Sequence, residues 1–207
     1  MNQPARALWQ GEAPLVLASA SGVRRALLES VDIPVEVDPA DIDERDVERR
    51  LEETSADGVA LGLAEQKALA VSHRWKDRYV LGADQTLSVG PRRLNKPTGR
   101  REAGEHLMLL SGRGHRLHAA LALAINGHVL WRHVETATLQ MRPLSSAFLH
   151  AYLEAAGDAV LHSVGVYRIE GLGMHLFSAI GGDHSTVMGL PLLPLLHQLR
   201  NMGLVLE

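Results

Sequence analysis

The 207-residue sequence contains no cysteine. That absence removes disulfides, thiolate metal sites and cysteine nucleophiles together. It also lacks any apolar run long enough to cross a bilayer, and neither GxGxxG nor GxxxxGK[ST] occurs, so neither glycine-rich nucleotide motif is available. No charge of one sign dominates: 21 basic residues face 24 acidic ones, for a formal net charge of -3. The basic residues are scattered, which gives no indication of a broad nucleic-acid-binding face and leaves small anionic ligands open. The eleven histidines form no zinc motif, since His115 and His118 lack an HExxH frame. There is no internal repeat, low-complexity segment or long linker. With 46% hydrophobic residues, the chain can fill one core or one core pinched into two lobes, so a single domain over 1–207 with its core at 15–200 is expected.

What is present alternates strand and helix. The segment "APLVLASASG" imitates a short leader with an A-x-A site, but its apolar run is too short and Arg24 and Arg25 follow it; it reads as a first core strand, Leu15 to Ala18. A Ser/Gly turn leads into "GVRRALLESV", with Val23, Leu27 and Val31 at helical spacing. Pro34 opens a short strand at Val35 to Val37. "DPADIDERDVERR" reads as an acidic loop that turns basic at its end. A helix is predicted from an N-cap at Ser55 to near His73, then a buried strand from Tyr79 to Leu81 that gives out before Asp84. Ala103, Leu107 and Leu110 mark another helix, stopped by Ser111 and Gly112. Two extended runs between Arg116 and Gln140 flank Asn126-Gly127, a strong hairpin signal. A helix near Ser145 to Ala156, a Gly-rich region from Gly165 to Gly189 and a final helix from Pro191 to Met202 follow. The pattern predicts a mixed α/β domain with a curved central sheet and flanking helices.

Several residues carry chemistry. In "SASGVRR" a strand feeds a helix, offering free N–H groups at the helix N-terminus beside Ser19, Ser21, Arg24 and Arg25; this is either a phosphate cradle or an ordinary capped helix. Lys67 lies on the apolar stripe of its helix, four residues from Leu63 and from Val71. It either snorkels to the surface or points into an anionic cleft. Lys96, in "NKP", stands on a loop stiffened by Pro97, where a surface lysine is the simpler reading. Asp84, in "LGADQT", is either a turn former or a mounted carboxylate. Asp41, Asp43 and Glu44 crowd one acidic stretch, where a divalent cation would relieve their repulsion, because Mg²⁺ takes one or two carboxylates plus water and phosphate oxygens.

These blocks, from "LVLASASGVRRALL" through "DIDE", "AEQKA", "LGADQT", "NKP", "LSGRGH" and "YRIEGLG" to "GDHSTVMGLPL", occur in an order that resembles the Maf family of nucleoside triphosphate pyrophosphatases. The resemblance covers Leu15 to about Arg200. It implies an α/β fold of the Maf and inosine triphosphatase type, with two lobes around a cleft. It also implies hydrolysis between the α and β phosphates of a nucleoside triphosphate with a divalent metal (Mg²⁺, Mn²⁺ or Co²⁺), by a homodimer; the lack of a bilayer-spanning run leads to the expectation of a cytoplasmic protein, and with the scattered charge to no nucleic-acid or membrane partner. Carried over by position, Asp84 is the proton acceptor, Glu44 the second acid, Lys67 and Lys96 phosphate-binding lysines, and Ser19, Ser21, Arg24 and Arg25 the phosphate loop. Glu44 and Asp84 are the expected metal ligands. Val23, Gln85 and Glu170 match the positions that separate the family's branches; Gln85 and Glu170 side with the 7-methyl-GTP branch, while Val23 matches neither it nor the dTTP/UTP branch. The chain departs from the family pattern at Gly22, Val23, Gly114, Ala119, Ala120 and His184, which touches base recognition rather than the catalytic groups. Alternatives are a dTTP/UTP pyrophosphatase and a non-catalytic nucleotide-binding regulator of septum formation.

Overall fold

A computed structural model describes residues 8–51 and 55–207; residues 1–7 and 52–54 of the expected domain lie outside the described residues. The elements run β1 (Leu15–Leu17), α1 (Gly22–Ser30), β2 (Val35–Val37), α2 (Glu44–Arg50), α3 (Ala56–Ser72), β3 (Val80–Val89), β4 (Arg92–Leu94), α4 (Arg100–Leu110), β5 (Gly114–Ile125), β6 (His128–Met141), α5 (Ser146–Ala156), β7 (Phe177–Gly181), α6 (His184–Val187) and α7 (Leu192–Asn201). Short 3₁₀ turns at Gly157–His162 and Leu172–Leu176 connect α5 to β7. One mixed seven-stranded sheet has the order β2-β1-β3-β5-β6-β7, with β4 paired to β3. β1 is parallel to β2 and β3, and the remaining pairs are antiparallel.

The two faces of β5 explain the layering. Successive side chains of a strand point to opposite faces. Ala120, Ala122 and Ala124 accordingly pack on Ala60, Ala64 and Ala68 of α3, while Leu121 and Leu123 join the cluster built on β1, α1 and α7. Small side chains on both partners let helix and sheet approach closely. β3 carries the extreme case, Gly82: a Cβ there would lie 2.0 Å from the carbonyl oxygen of Ala64. The two largest apolar clusters lie around Leu15, Leu81, Leu123 and Leu195 and around Leu87, Leu107, Leu139 and Tyr167.

Three local expectations are corrected. The strand expected to end at Leu81 continues to Val89, so Asp84 stands within a strand. It continues because each polar side chain on its α3-facing side finds a partner: Asp84 meets Lys67, Thr86 Oγ1 donates to Ala56 O at 2.7 Å, and Ser88 Oγ lies 2.9 Å from His118 Nε2. The acidic loop contains a helix, α2, capped by Asp43, whose Oδ1 accepts from Asp46 N at 3.0 Å. Its acidic first turn and basic last turn complement the helix dipole. The Gly-rich region holds β7 and α6, the latter capped by Asp183. The hairpin is as expected, with Asn126 at φ 49° and Gly127 at φ 79° between β5 and β6, both positive as a type I′ turn requires.

Candidate active site

The close approach of α3 to β3 at Gly82 brings two charged side chains together. Asp84 follows Gly82 by two residues and so shares its face of the strand; Lys67 follows Ala64 by three and shares its face of the helix. The Lys67 ammonium meets Asp84 Oδ2 and also Glu44 Oε1, the latter at 2.6 Å. The lysine therefore does not snorkel: its side chain is 10% exposed, against 13% for Asp84 and 46% for Glu44. Asp84 Oδ1 accepts the Gln85 N–H at 2.7 Å, which restrains the rotation of the carboxylate.

The loop from β1 to α1 forms the adjoining wall. Ser21 caps α1, its Oγ accepting the Arg24 N–H at 3.3 Å, so the capped-helix reading holds locally. Arg24 is held by protein acceptors: Nε donates to Gly189 O at 2.9 Å, and Nη1 to Ser19 Oγ at 3.0 Å and Ala83 O at 2.8 Å. Burial lowers the pKa of its guanidinium from the ordinary value, and the nearby Asp84 and Glu44 carboxylates oppose that shift.

A cleft of about 980 Å³ is lined by Ser19, Ser21, Arg24, Glu44, Lys67 and Asp84 on this side. Lys96, Val23, Gln85 and Glu170 line it as well. Arg25 does not; it is exposed and pairs along its own helix with Glu29 at 2.8 Å. The volume suits a small-molecule ligand. Gln85 Nε2 donates to both Thr186 O, at 3.1 Å, and Val187 O, at 3.0 Å. Two carbonyl partners fix the amide orientation and leave Oε1 as an acceptor. Arg168 was not anticipated from the sequence. It lines the cleft beside Glu170, its Nε donating to Glu170 Oε1 at 2.9 Å.

Among the described residues no group of three or more carboxylates or imidazoles is poised to hold a metal. Glu44 and Asp84 fit a divalent cation as a partial donor set, of the kind Mg²⁺ completes with water and phosphate oxygens. Asp41 is outside the cleft lining and Asp43 serves as the cap of α2. No helix among the described residues is long and apolar enough to cross a membrane.

Comparison with known proteins finds relatives over nearly the whole chain. A family model described as Maf-like protein matches residues 14–202. A protein of Nitrobacter winogradskyi named nucleoside triphosphate pyrophosphatase is 52% identical over 199 residues, covering 96% of this chain and 98% of that protein. One from Rhodopseudomonas palustris with the same name is 52% identical over 198 residues, with the same coverage. A Rhizobium meliloti protein named 7-methyl-GTP pyrophosphatase is 48% identical over 193 residues, covering 92% of this chain and 97% of that protein.

Proposed function

This chain belongs to the Maf-like protein family and is a nucleoside triphosphate pyrophosphatase; we propose that it hydrolyses the α–β phosphate bond of a guanine nucleotide, GTP or 7-methyl-GTP, to monophosphate and pyrophosphate. The observation that carries the reading is the buried Lys67 ammonium between Asp84 and Glu44 on the wall of the cleft. A pure binder of anions has no use for two carboxylates there. A hydrolase does: Asp84 takes a proton from the attacking water, while Lys67 and Lys96 hold phosphate oxygens and the loop at Ser19 and Ser21 presents its polar groups to the triphosphate. A divalent cation on Glu44 and Asp84 would neutralise phosphate charge and polarise the scissile phosphoryl group. The reaction consumes one water and releases one proton with the two phosphorylated products.

The base assignment rests on acceptors. Gln85 offers Oε1 and Glu170 a carboxylate, which suit the N1–H and 2-amino donors of guanine, whereas thymine and uracil flank a single ring donor with two carbonyls. Val23 supplies no aromatic face to stack on a methylated base. The same reading includes a homodimer, which the family resemblance implies, and a place in the cytoplasm.

The test is pyrophosphate release from a panel of ordinary and methylated nucleoside triphosphates with Mg²⁺, Mn²⁺ or Co²⁺. Expected is a higher kcat/KM for GTP or 7-methyl-GTP than for dTTP and UTP. Asp84→Asn should lower kcat by roughly 10²–10⁴-fold, the range for losing a general base. Binding without turnover for every nucleotide would instead favour a regulator, and strong preference for dTTP or UTP would overturn the base assignment alone.

A further inference from the structure

Arg168 and Glu170 sit on a firmly held stretch of the cleft wall. Tyr167, between Val166 and Arg168, is buried, edge-on to Phe177 with ring centroids 4.8 Å apart, and its hydroxyl lies 2.7 Å from His115 Nε2. Immediately beyond it, Arg168 Nε donates to Glu170 Oε1 at 2.9 Å, and both side chains line the cleft. Among the described residues, Arg168 Nη1 and Nη2 find no acceptor and Glu170 Oε2 no donor. The pair thus offers two unbonded donor nitrogens beside one unbonded carboxylate oxygen on the cleft wall.

We infer that Arg168 is a specificity-determining residue that, paired with Glu170, reads the O6 edge of guanine and turns the enzyme toward the unmethylated base. The inference rests on the guanine reading above. Guanine presents two donors, the 2-amino group and N1–H, followed by the acceptor O6. Glu170 meets the donors and a terminal nitrogen of Arg168 meets O6, while Gln85 Oε1 adds an acceptor on the cleft wall. Uracil and thymine place an acceptor where guanine has its amino group, against a carboxylate. Methylation at N7 makes guanine a cation. A lone carboxylate would favour that cation, but the Arg168–Glu170 pair is neutral as a unit and places a positive charge next to the methylated ring. Arg168 is about half exposed at 48% of its side chain, so solvent screens this repulsion and the expected effect is moderate.

The experiment compares kcat/KM for GTP, ITP and 7-methyl-GTP in the wild type, Arg168→Leu and Arg168→Lys. Arg168→Leu should raise the ratio of 7-methyl-GTP to GTP by about tenfold, the scale of one partly screened charge-assisted hydrogen bond. ITP keeps O6 and N1–H but lacks the amino group, so its kcat/KM should fall together with that of GTP. Arg168→Lys keeps the charge and should hold the ratio within about threefold of wild type. A ratio from one preparation cancels any loss of folded protein, and Arg168→Gln serves the same comparison if the leucine variant is insoluble. A ratio unchanged within about twofold in Arg168→Leu or Arg168→Gln overturns the role of Arg168 while leaving the guanine reading standing. A wild type that prefers dTTP or UTP overturns both.

Discussion

Replacing Lys67 by Met separates the electrostatic role of the lysine from its packing. The unbranched thioether fills nearly the same space on the α3 stripe, so little cavity is created. The charge balance changes instead. Arg24, Lys67, Asp84 and Glu44 sum to zero, and removing Lys67 leaves two carboxylates facing one guanidinium whose bonded donors already go to Ser19, Ala83 and Gly189. Asp84, with 13% of its side chain exposed, loses its cationic partner, while Glu44, at 46%, recovers water. Breaking a buried pair from one side costs about 3–5 kcal/mol, and the exposure of Glu44 puts the expectation at the low end, about 3 kcal/mol. For a chain of this size that lowers Tm by roughly 6–12 °C.

The assay is urea and thermal unfolding of Lys67→Met, Asp84→Asn and the double variant, with pyrophosphate release measured alongside. The double variant replaces an ion pair by a thioether and a neutral amide. It should recover part of the stability lost by Lys67→Met, with a coupling of about 1–3 kcal/mol between the two sites, and should remain inactive. Strictly additive losses, or a Lys67→Met protein as stable as wild type, would refute the claim that pairing with Asp84 is what permits a buried lysine here.

Other perturbations test the frame around the site. Gly82→Ala places a methyl 2.0 Å from Ala64 O and 2.7 Å from Ala68 N, backbone atoms that cannot yield cheaply, so it should cost about 3 kcal/mol or more; an unchanged urea midpoint would mean α3 does not sit on β3 as described. Burial lowers the His115 pKa to about 4, below the unfolded value of about 6.5, and His106 and His118 shift in the same direction for the same reason. The unfolded chain then binds the proton more readily, so this stability is complete above pH 6.5 and is lost as pH falls toward 4, by roughly 2 kcal/mol at pH 5 for His115 alone. Urea midpoints at pH 7.5 and 5 measure the decline, and His115→Gln, which keeps a partner for the Tyr167 hydroxyl, should flatten it. Glu170→Gln should shift kcat/KM toward UTP and dTTP, because an amide can donate to a pyrimidine carbonyl that a carboxylate repels; a selectivity ratio unmoved by the change would mean Glu170 does not meet the base.

The parts legible in the sequence were those set by local chemistry. Asn126-Gly127 specifies a turn with two positive φ angles whatever surrounds it, and periodicity puts Lys67 on the apolar stripe of α3, although only the fold decides between snorkelling and pairing with Asp84 and Glu44. The β1 to α1 loop was legible for the same reason. What periodicity cannot supply is the partner across space. Asp84, Thr86 and Ser88 look like the end of a strand because their acceptors and donors lie on α3 and β5, far along the chain. The α2 helix was hidden by its own charge pattern, acidic at the start and basic at the end, which reads as a solvated run until the cap at Asp43 is recognised. Arg168 lies in the block "YRIEGLG", but nothing in that block marks it as a cleft residue; only the folded wall sets it beside Glu170 with its terminal nitrogens unbonded.

Arg24 ties these levels together. From sequence it is one of two adjacent basic residues after a Ser/Gly turn, and nothing local distinguishes it from Arg25. The fold separates them: Arg25 pairs along the surface of α1 with Glu29, while Arg24 reaches the carbonyl of Ala83, next to Asp84, and the carbonyl of Gly189, in the segment whose neighbouring carbonyls orient Gln85. One guanidinium therefore spans the strand that mounts the carboxylate, the loop that carries Ser19 and the turn that orients the Gln85 amide. Its Nη2 alone has no acceptor among the described residues. A partly buried cation fixed by Nε and Nη1 keeps that remaining donor in a set position, so an anion in the cleft would meet it with less ordering required. The adjacent Asp84 and Glu44 favour its charged form against burial, which links the acid pair to the anchoring of the adjoining wall.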